Sequence, residues 1–197
     1  MFNNDHHLVI LSGQSNMARM PLNYFTDVLH GEIGTNHTII VKHAIGGQPI
    51  SMWDENLNGI IYKTLIKKVR DALIENGGHE LTSVTFIWAQ GASDAIYNRE
   101  DAYLASFDNL LYQLKRDIDY EDIRLIIART VDCAPQARYA EIREIQEFIG
   151  DTYPNAILVN VDDLNGPWNS VHLSWAGYKA LAKRYADIVL NDIYIIE

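Results

Sequence analysis

The sequence is poor in several things at once. It has one cysteine, Cys133, five prolines, and only 16 basic side chains against 26 acidic ones in 197 residues. A single cysteine excludes an intrachain disulfide and any multi-cysteine zinc site. The shortage of lysine and arginine leaves a formal net charge of −10 and a sequence pI near 5.1. Such a chain lacks the basic face a phosphate backbone needs, so nucleic acid is not an expected partner. An anionic membrane surface is an equally poor one. No stretch approaches the roughly 20 apolar residues of a membrane span. The start, Met1-Phe2-Asn3-Asn4-Asp5-His6-His7, lacks the basic opening of a secretory signal, and Leu8–Leu11 is too short for its apolar core. The expectation is a cytoplasmic protein or a route with no cleaved signal. A domain cut from a larger secreted or virion protein would read the same way.

What is present is enough for a core: 48% hydrophobic and 10% aromatic residues exclude wholesale disorder. The length suits one domain over residues 1–197. Five short β-branched runs stand out: Leu8–Leu11, Thr38–Val41, Val84–Trp88, Leu125–Ala128 and Ala156–Val159. Runs apolar on both faces suit the interior of a parallel sheet. Amphipathic stretches alternate with them at Ile60–Glu75, Ala102–Asp117, Ala137–Ile149 and Trp175–Leu190. Strand then helix, repeated, predicts an α/β fold: a three-layer α/β/α sandwich around a five-stranded parallel sheet, flavodoxin-like in plan. Ligands of such sheets bind beyond the carboxyl ends of the strands, so the informative loops follow Leu11, Val41, Trp88, Ala128 and Val159.

Ser12-Gly13-Gln14-Ser15-Asn16-Met17 follows the first run. A serine on a tight strand-to-helix turn places its hydroxyl at the sheet edge and its own N–H where an oxyanion would form. The same residues also suit a plain helix cap with a turn-forming Asn. Gly13-Gln14-Ser15-Asn16-Met17 resembles the nucleophile block of the sialate O-acetylesterase-like family, carbohydrate esterase family 6, within the SGNH (GDSL-like) hydrolases. His43-Ala44-Ile45-Gly46-Gly47-Gln48-Pro49-Ile50 with Trp53 is similar to that family's Gly-Gly block. The resemblance implies Gly47 as second oxyanion donor, with Gly46 beside it. Trp88-Ala89-Gln90-Gly91-Ala92-Ser93-Asp94 resembles the family's Trp-His-Gln-Gly-Glu-Ser-Asp, which makes Gln90 the third donor. Ala89 and Ala92 depart from it, replacing an imidazole and a carboxylate. Asn169-Ser170-Val171-His172 resembles the family's Asp-x-x-His and implies His172 as general base. Ser174 reads as the cap of the helix that follows.

Asn169 stands where the pattern has Asp, and in a triad that exchange costs on the order of 10⁴ in kcat. Three readings stay open. Asp162 or Asp163 supplies the carboxylate, the site runs as a Ser–His pair steered by an amide or carbonyl, or catalysis is weak. The resemblance covers nearly the whole chain, and the order Ser, Gly, Gln, His is its most specific feature.

The expected activity is a serine esterase that removes O-acetyl groups from a small-molecule or glycan acetyl ester through an acetyl-enzyme, with no cofactor and no metal. Gln14, Trp53 and Asp94 are the candidate substrate contacts, although tryptophans at strand ends more often pack in cores. The alternatives are a general GDSL-like acyl esterase or thioesterase, favoured by an apolar pocket near Pro21–Phe25, and a carbohydrate-binding relic, motivated by Asn169, Ala89 and Ala92. His30, His37 and His79 lack the carboxylate spacing of a metal site. The acidic balance favours a neutral or sparsely charged glycan unless Arg19, Arg99 or Arg138 forms a local basic spot.

Overall fold

The computed structural model describes residues 6–133, 137–165 and 170–196. Its five strands are β1 (His7–Gly13), β2 (Thr38–Ala44), β3 (Ser83–Ala89), β4 (Arg124–Ala128) and β5 (Ala156–Val159). They form one parallel sheet in the order β2-β1-β3-β4-β5. All seven residues of β1 are buried, which is why its sequence is apolar on both faces rather than alternating. The strand order reverses at β1 and β3, and a ligand crevice of this topology opens there. Ser12 is in register with His43 on one side and Trp88 on the other; Gly13 lies between Ala44 and Ala89.

Helices cover both faces. On one side α1 (Ser15–Arg19), α2 (Leu22–Ile33) and α7 (Trp175–Ile196) pack on Val9, Leu11, Ile87 and Ile126. On the other, α3 (Ile60–Glu75), α4 (Ala92–Ile96), α5 (Tyr103–Ile118) and α6 (Tyr139–Thr152) pack on Leu8, Ile10, Phe86 and Ile127. The three-layer α/β/α arrangement and the parallel sheet are those expected from the alternation of runs. Among the described residues no helix is long and apolar enough to cross a membrane.

One difference from the sequence expectation has a physical cause. Helix α2 was not expected, because it buries only Phe25, Leu29 and Ile33, and Thr26, Asp27, His30 and Gly31 break up its apolar stripe. Its stability comes from packing against α7, which itself runs to Ile196; tertiary burial, not propensity, holds such helices.

Candidate active site

Strand β1 ends on Gly13 at φ +136, and a Cβ there would stand 2.2 Å from the Ala89 carbonyl oxygen. Only glycine fits so close a backbone approach. Gln14 N–H then donates to the same Ala89 oxygen at 2.9 Å, and the chain turns sharply to open α1 on Ser15. As the first helical residue, Ser15 carries a backbone N–H with no intrahelical acceptor. Its side chain is half-buried.

The loop after β2 is pinned to this turn, since Ile45 N–H donates to the Gly13 carbonyl at 3.0 Å. A Cβ on Gly46 would lie 3.4 Å from Ser15 Cβ, so Gly46 is the glycine packed against the serine. Gly47, at φ +71 with nothing near its Cβ position, turns the loop in the open.

His172 arrives from the far end of the chain. Asn16 Nδ2 donates to the Val171 carbonyl at 3.0 Å, and Asn16 Oδ1 accepts from the Tyr178 hydroxyl at 2.9 Å. Ser170 Oγ accepts from His172 N–H at 3.2 Å. Ser174 Oγ accepts from Gly177 N–H at 3.0 Å, the cap expected for α7. Burial, and then the positive charge of Arg19, hold the His172 imidazole below its ordinary pKa. Sequence reasoning read Asn16 as a turn former and passed over Tyr178; the spacing of a motif does not reveal a clamp made across the fold.

The two alternative acids are corrected by their partners. Asp162 is held by Arg143 at 2.8 Å and by Arg129, and Asp163 by Arg184 at 2.7 Å. These guanidiniums depress both carboxyls below the usual range. Both carboxylates are thus spent on arginines in this structure. Asn169 lies outside the described residues.

Three expected substrate contacts are also corrected. Trp53 is fully buried; its Nε1–H donates to Ser12 Oγ at 3.0 Å, and its ring meets Trp88 edge-on at 5.3 Å. It cannot stack a sugar. Asp94 is 1% exposed and accepts from Ile50 N–H at 3.0 Å and from Gln90 Nε2. Burial raises its pKa, against these hydrogen bonds. Gln14 turns its Oε1 inward, accepting from the N–H groups of Gly91 and Ser93 at 3.3 Å each. In this structure these side chains brace the loops around Ser15.

Gln90 is held through its backbone carbonyl and its side-chain nitrogen. Its carbonyl accepts from the Tyr103 hydroxyl at 3.0 Å and from Gln146 Nε2 at 2.7 Å. Its own Nε2 donates to Asp94 and, at 3.2 Å, to the Gln48 carbonyl. To face an oxyanion this amide must exchange the longer bond, the one to Gln48. Ala89 and Ala92, the two departures from the motif, line a cavity of about 20 Å³ with Gln14, Asn16, Gln90 and Arg129. That is room for about one water. Gln90 Oε1 and Arg129 Nε are buried without partners among the described residues.

Comparison with known proteins places the chain in a family and supports its fold. Residues 21–191 match the family model described as carbohydrate esterase, sialic acid-specific acetylesterase. The matched segment includes Gly46, Gln90 and His172 and begins after Ser15. A protein from Arabidopsis thaliana has a similar structure at a TM-score of 0.75 and 18% identity, covering 95% of this chain and 98% of that one. A carbohydrate acetylesterase from Xanthomonas citri matches at 0.68 and 15%, covering 91% and 55%. A GDSL-like lipase from Bacteroides thetaiotaomicron matches at 0.51 and 14%, covering 93% and 88%. A comparison with curated protein sequences finds no match.

Proposed function

Because the chain belongs to the sialic acid-specific acetylesterase family of carbohydrate esterases and is a carboxylic ester hydrolase, we propose that it removes O-acetyl groups from a carbohydrate through an acetyl-enzyme on Ser15. The observation that carries this reading is the convergence of three distant segments on one turn. Gly46 packs on Ser15, Gln90 follows the neighbouring strand, and Asn16 fastens the loop of His172.

In the proposed reaction His172 takes the proton of Ser15 Oγ as that oxygen attacks the acetyl carbonyl. The N–H of Ser15 and of the Gly46–Gly47 loop receive the oxyanion, with Gln90 joining as its bond to Gln48 is exchanged. His172 returns the proton to the sugar oxygen, and water then clears the acetyl group. A Ser–His hydrogen bond often tightens only when substrate binds. The Xanthomonas citri relative, described as a carbohydrate acetylesterase, supports the substrate class.

A general lipid or aryl esterase is less well supported. Phe25 is fully buried in the core, and Tyr24 lies under the Lys179 ammonium at 4.7 Å, so these two aromatic rings are engaged within the fold. The test is acetate release from p-nitrophenyl acetate and from O-acetylated sugars by wild type and Ser15→Ala. Loss of turnover by at least about 10³-fold in the variant is expected; equal rates for the two proteins would remove the esterase reading.

A further inference from the structure

The end of β4 delivers Arg129 to the sheet edge that carries Gln90. Trp88 is in register with Ile127, so Gln90 and Arg129 each stand two residues past that pair, at the ends of neighbouring strands. Arg129 N–H donates to the Val159 carbonyl at 2.9 Å. Gln146 ties the two strand ends together: its Oε1 accepts from Thr130 N–H at 2.8 Å, and its Nε2 donates to the Gln90 carbonyl at 2.7 Å. The head of Arg129 is fixed as well. Its Nη1 donates to Glu147 at 2.7 Å and its Nη2 to Asp162, which uses the outer nitrogens and leaves Nε.

One buried atom therefore remains on each side chain. Gln90 is 2% exposed; its Nε2 is taken by Asp94 and Gln48, while its Oε1 has no partner among the described residues, and neither has Arg129 Nε. Both residues line the cavity of about 20 Å³. Buried polar atoms are bonded in the great majority of cases, to protein or to ordered water. A space of this size holds one water when at least two polar partners are within reach. The two atoms are complementary: a single water accepts from Nε–H and donates to Oε1.

We propose that one ordered water in this cavity bridges Arg129 Nε to Gln90 Oε1 and makes Arg129 a positioning residue for the Gln90 amide. The inference rests on the esterase reading, in which Gln90 Nε2 donates to the oxyanion. A water hydrogen on Oε1 fixes which end of the amide is which. The Nε2 end is then kept toward Asp94 and Gln48, ready to exchange the longer bond for the oxyanion. Hydrogen bonds in a chain polarise one another, so a guanidinium behind the carbonyl end makes the amide N–H a stronger donor at the other. Glu147 and Asp162 act one step further back, by anchoring the arginine.

A high-resolution crystal structure of the wild-type protein tests the bridge, and steady-state acetate release by three variants tests its role. The expected density is one water within hydrogen-bond distance of both Gln90 Oε1 and Arg129 Nε. Arg129→Lys keeps a cation for Glu147 and Asp162 but has no Nε, and Arg129→Met keeps neither. Both should lower kcat about 10-fold with KM within about twofold, less than the about 10²- to 10³-fold that follows loss of a whole oxyanion donor. Glu147→Gln weakens the ion pair and leaves Nε in place, so its kcat should stay within about twofold of wild type. Thermal unfolding separates a lost bridge from a lost fold, and Arg129→Lys carries the test if Arg129→Met does not fold. A direct bond between the two atoms, no water touching both, full kcat in Arg129→Lys, or an equal loss in Glu147→Gln would overturn the proposal. Equal acetate release by wild type and Ser15→Ala would instead remove the esterase reading, a failure distinct from that of the bridge, which the density reports whether or not an ester is cleaved.

Discussion

Asn16 Nδ2 donates to the Val171 carbonyl across 155 positions of chain, at 3.0 Å. The residue after the proposed nucleophile therefore holds the residue before the proposed base. The same side chain accepts from Tyr178 in the first turns of α7, so one amide aligns a strand-end turn, a loop and a helix. A Ser–His pair needs such a frame when no carboxylate among the described residues orients the imidazole.

Asn16→Ala removes both bonds at once. The expected result is a fall in kcat of about 10- to 100-fold with a smaller change in KM, because a displacement near 1 Å at the base is felt mainly in the chemical step. Stability should drop by about 1–3 kcal/mol for the Tyr178 and Val171 groups left unpaired. Steady-state kinetics with p-nitrophenyl acetate and thermal unfolding check the two halves. A variant with wild-type kcat would show that the loop of His172 is positioned by something else.

The strands and the longest helices were legible because burial on both faces writes itself into composition: Leu8–Leu11 and Val84–Trp88 could hardly be anything else. Ser15, Gln90 and His172, and Gly47 ahead of Gly46, were singled out by the resemblance of their blocks to a known family; position alone left Ser15 equally readable as a helix cap. The bracing was not legible. Asp94, Trp53 and Gln14 have polar groups that look ready for a ligand, but in the fold they are spent on Ile50, Ser12 and the α4 amides. Nothing local in sequence distinguishes a polar group aimed inward from one aimed outward. The engagement of Asp162 and Asp163 was hidden for a related reason: their arginine partners come from just after β4, from α6 and from α7, distant along the chain.

Trp53→Phe tests whether that indole is structural. The substitution keeps an aromatic ring against Trp88 and deletes the N–H that Ser12 accepts at 3.0 Å. A loss of about 1–3 kcal/mol in unfolding free energy is expected from the lost bond and lost volume. KM for an acetylated sugar should stay within about twofold of wild type, since a fully buried ring touches no substrate. A rise in KM well beyond that, in a folded variant, would return Trp53 to the binding site.

Asp94→Asn probes the brace between the Gly46–Gly47 loop and Gln90. Asn still accepts from Ile50 N–H but turns an amide toward the Gln90 amide, exchanging a charge-assisted bond for a neutral or repulsive contact. Turnover should fall about 10²- to 10³-fold, on the scale of losing one oxyanion donor, while KM changes little. Asp94→Glu, which keeps the charge but overfills a buried site, should lose stability as well. Kinetics and chemical denaturation of both variants read these apart, and undiminished kcat in Asp94→Asn would mean that Gln90 needs no such partner.

The acid limb of kcat/KM should fall below the ordinary histidine value of 6.5. His172 must be neutral to accept the Ser15 proton. Burial disfavours its charged form, and so does Arg19 on α1; the Tyr178 hydroxyl on α7, held neutral by its own burial, adds no charge. Both causes have one sign, so the base form persists to lower pH than in an exposed histidine. Arg19→Gln deletes the charge and leaves the burial, which moves the limb upward but not past 6.5. Proton NMR titration of the His172 ring in the Ser15→Ala protein follows the same ionisation without catalysis. A midpoint at or above 6.5 in the free protein, or one indifferent to Arg19→Gln, would show that the guanidinium does not act on the base.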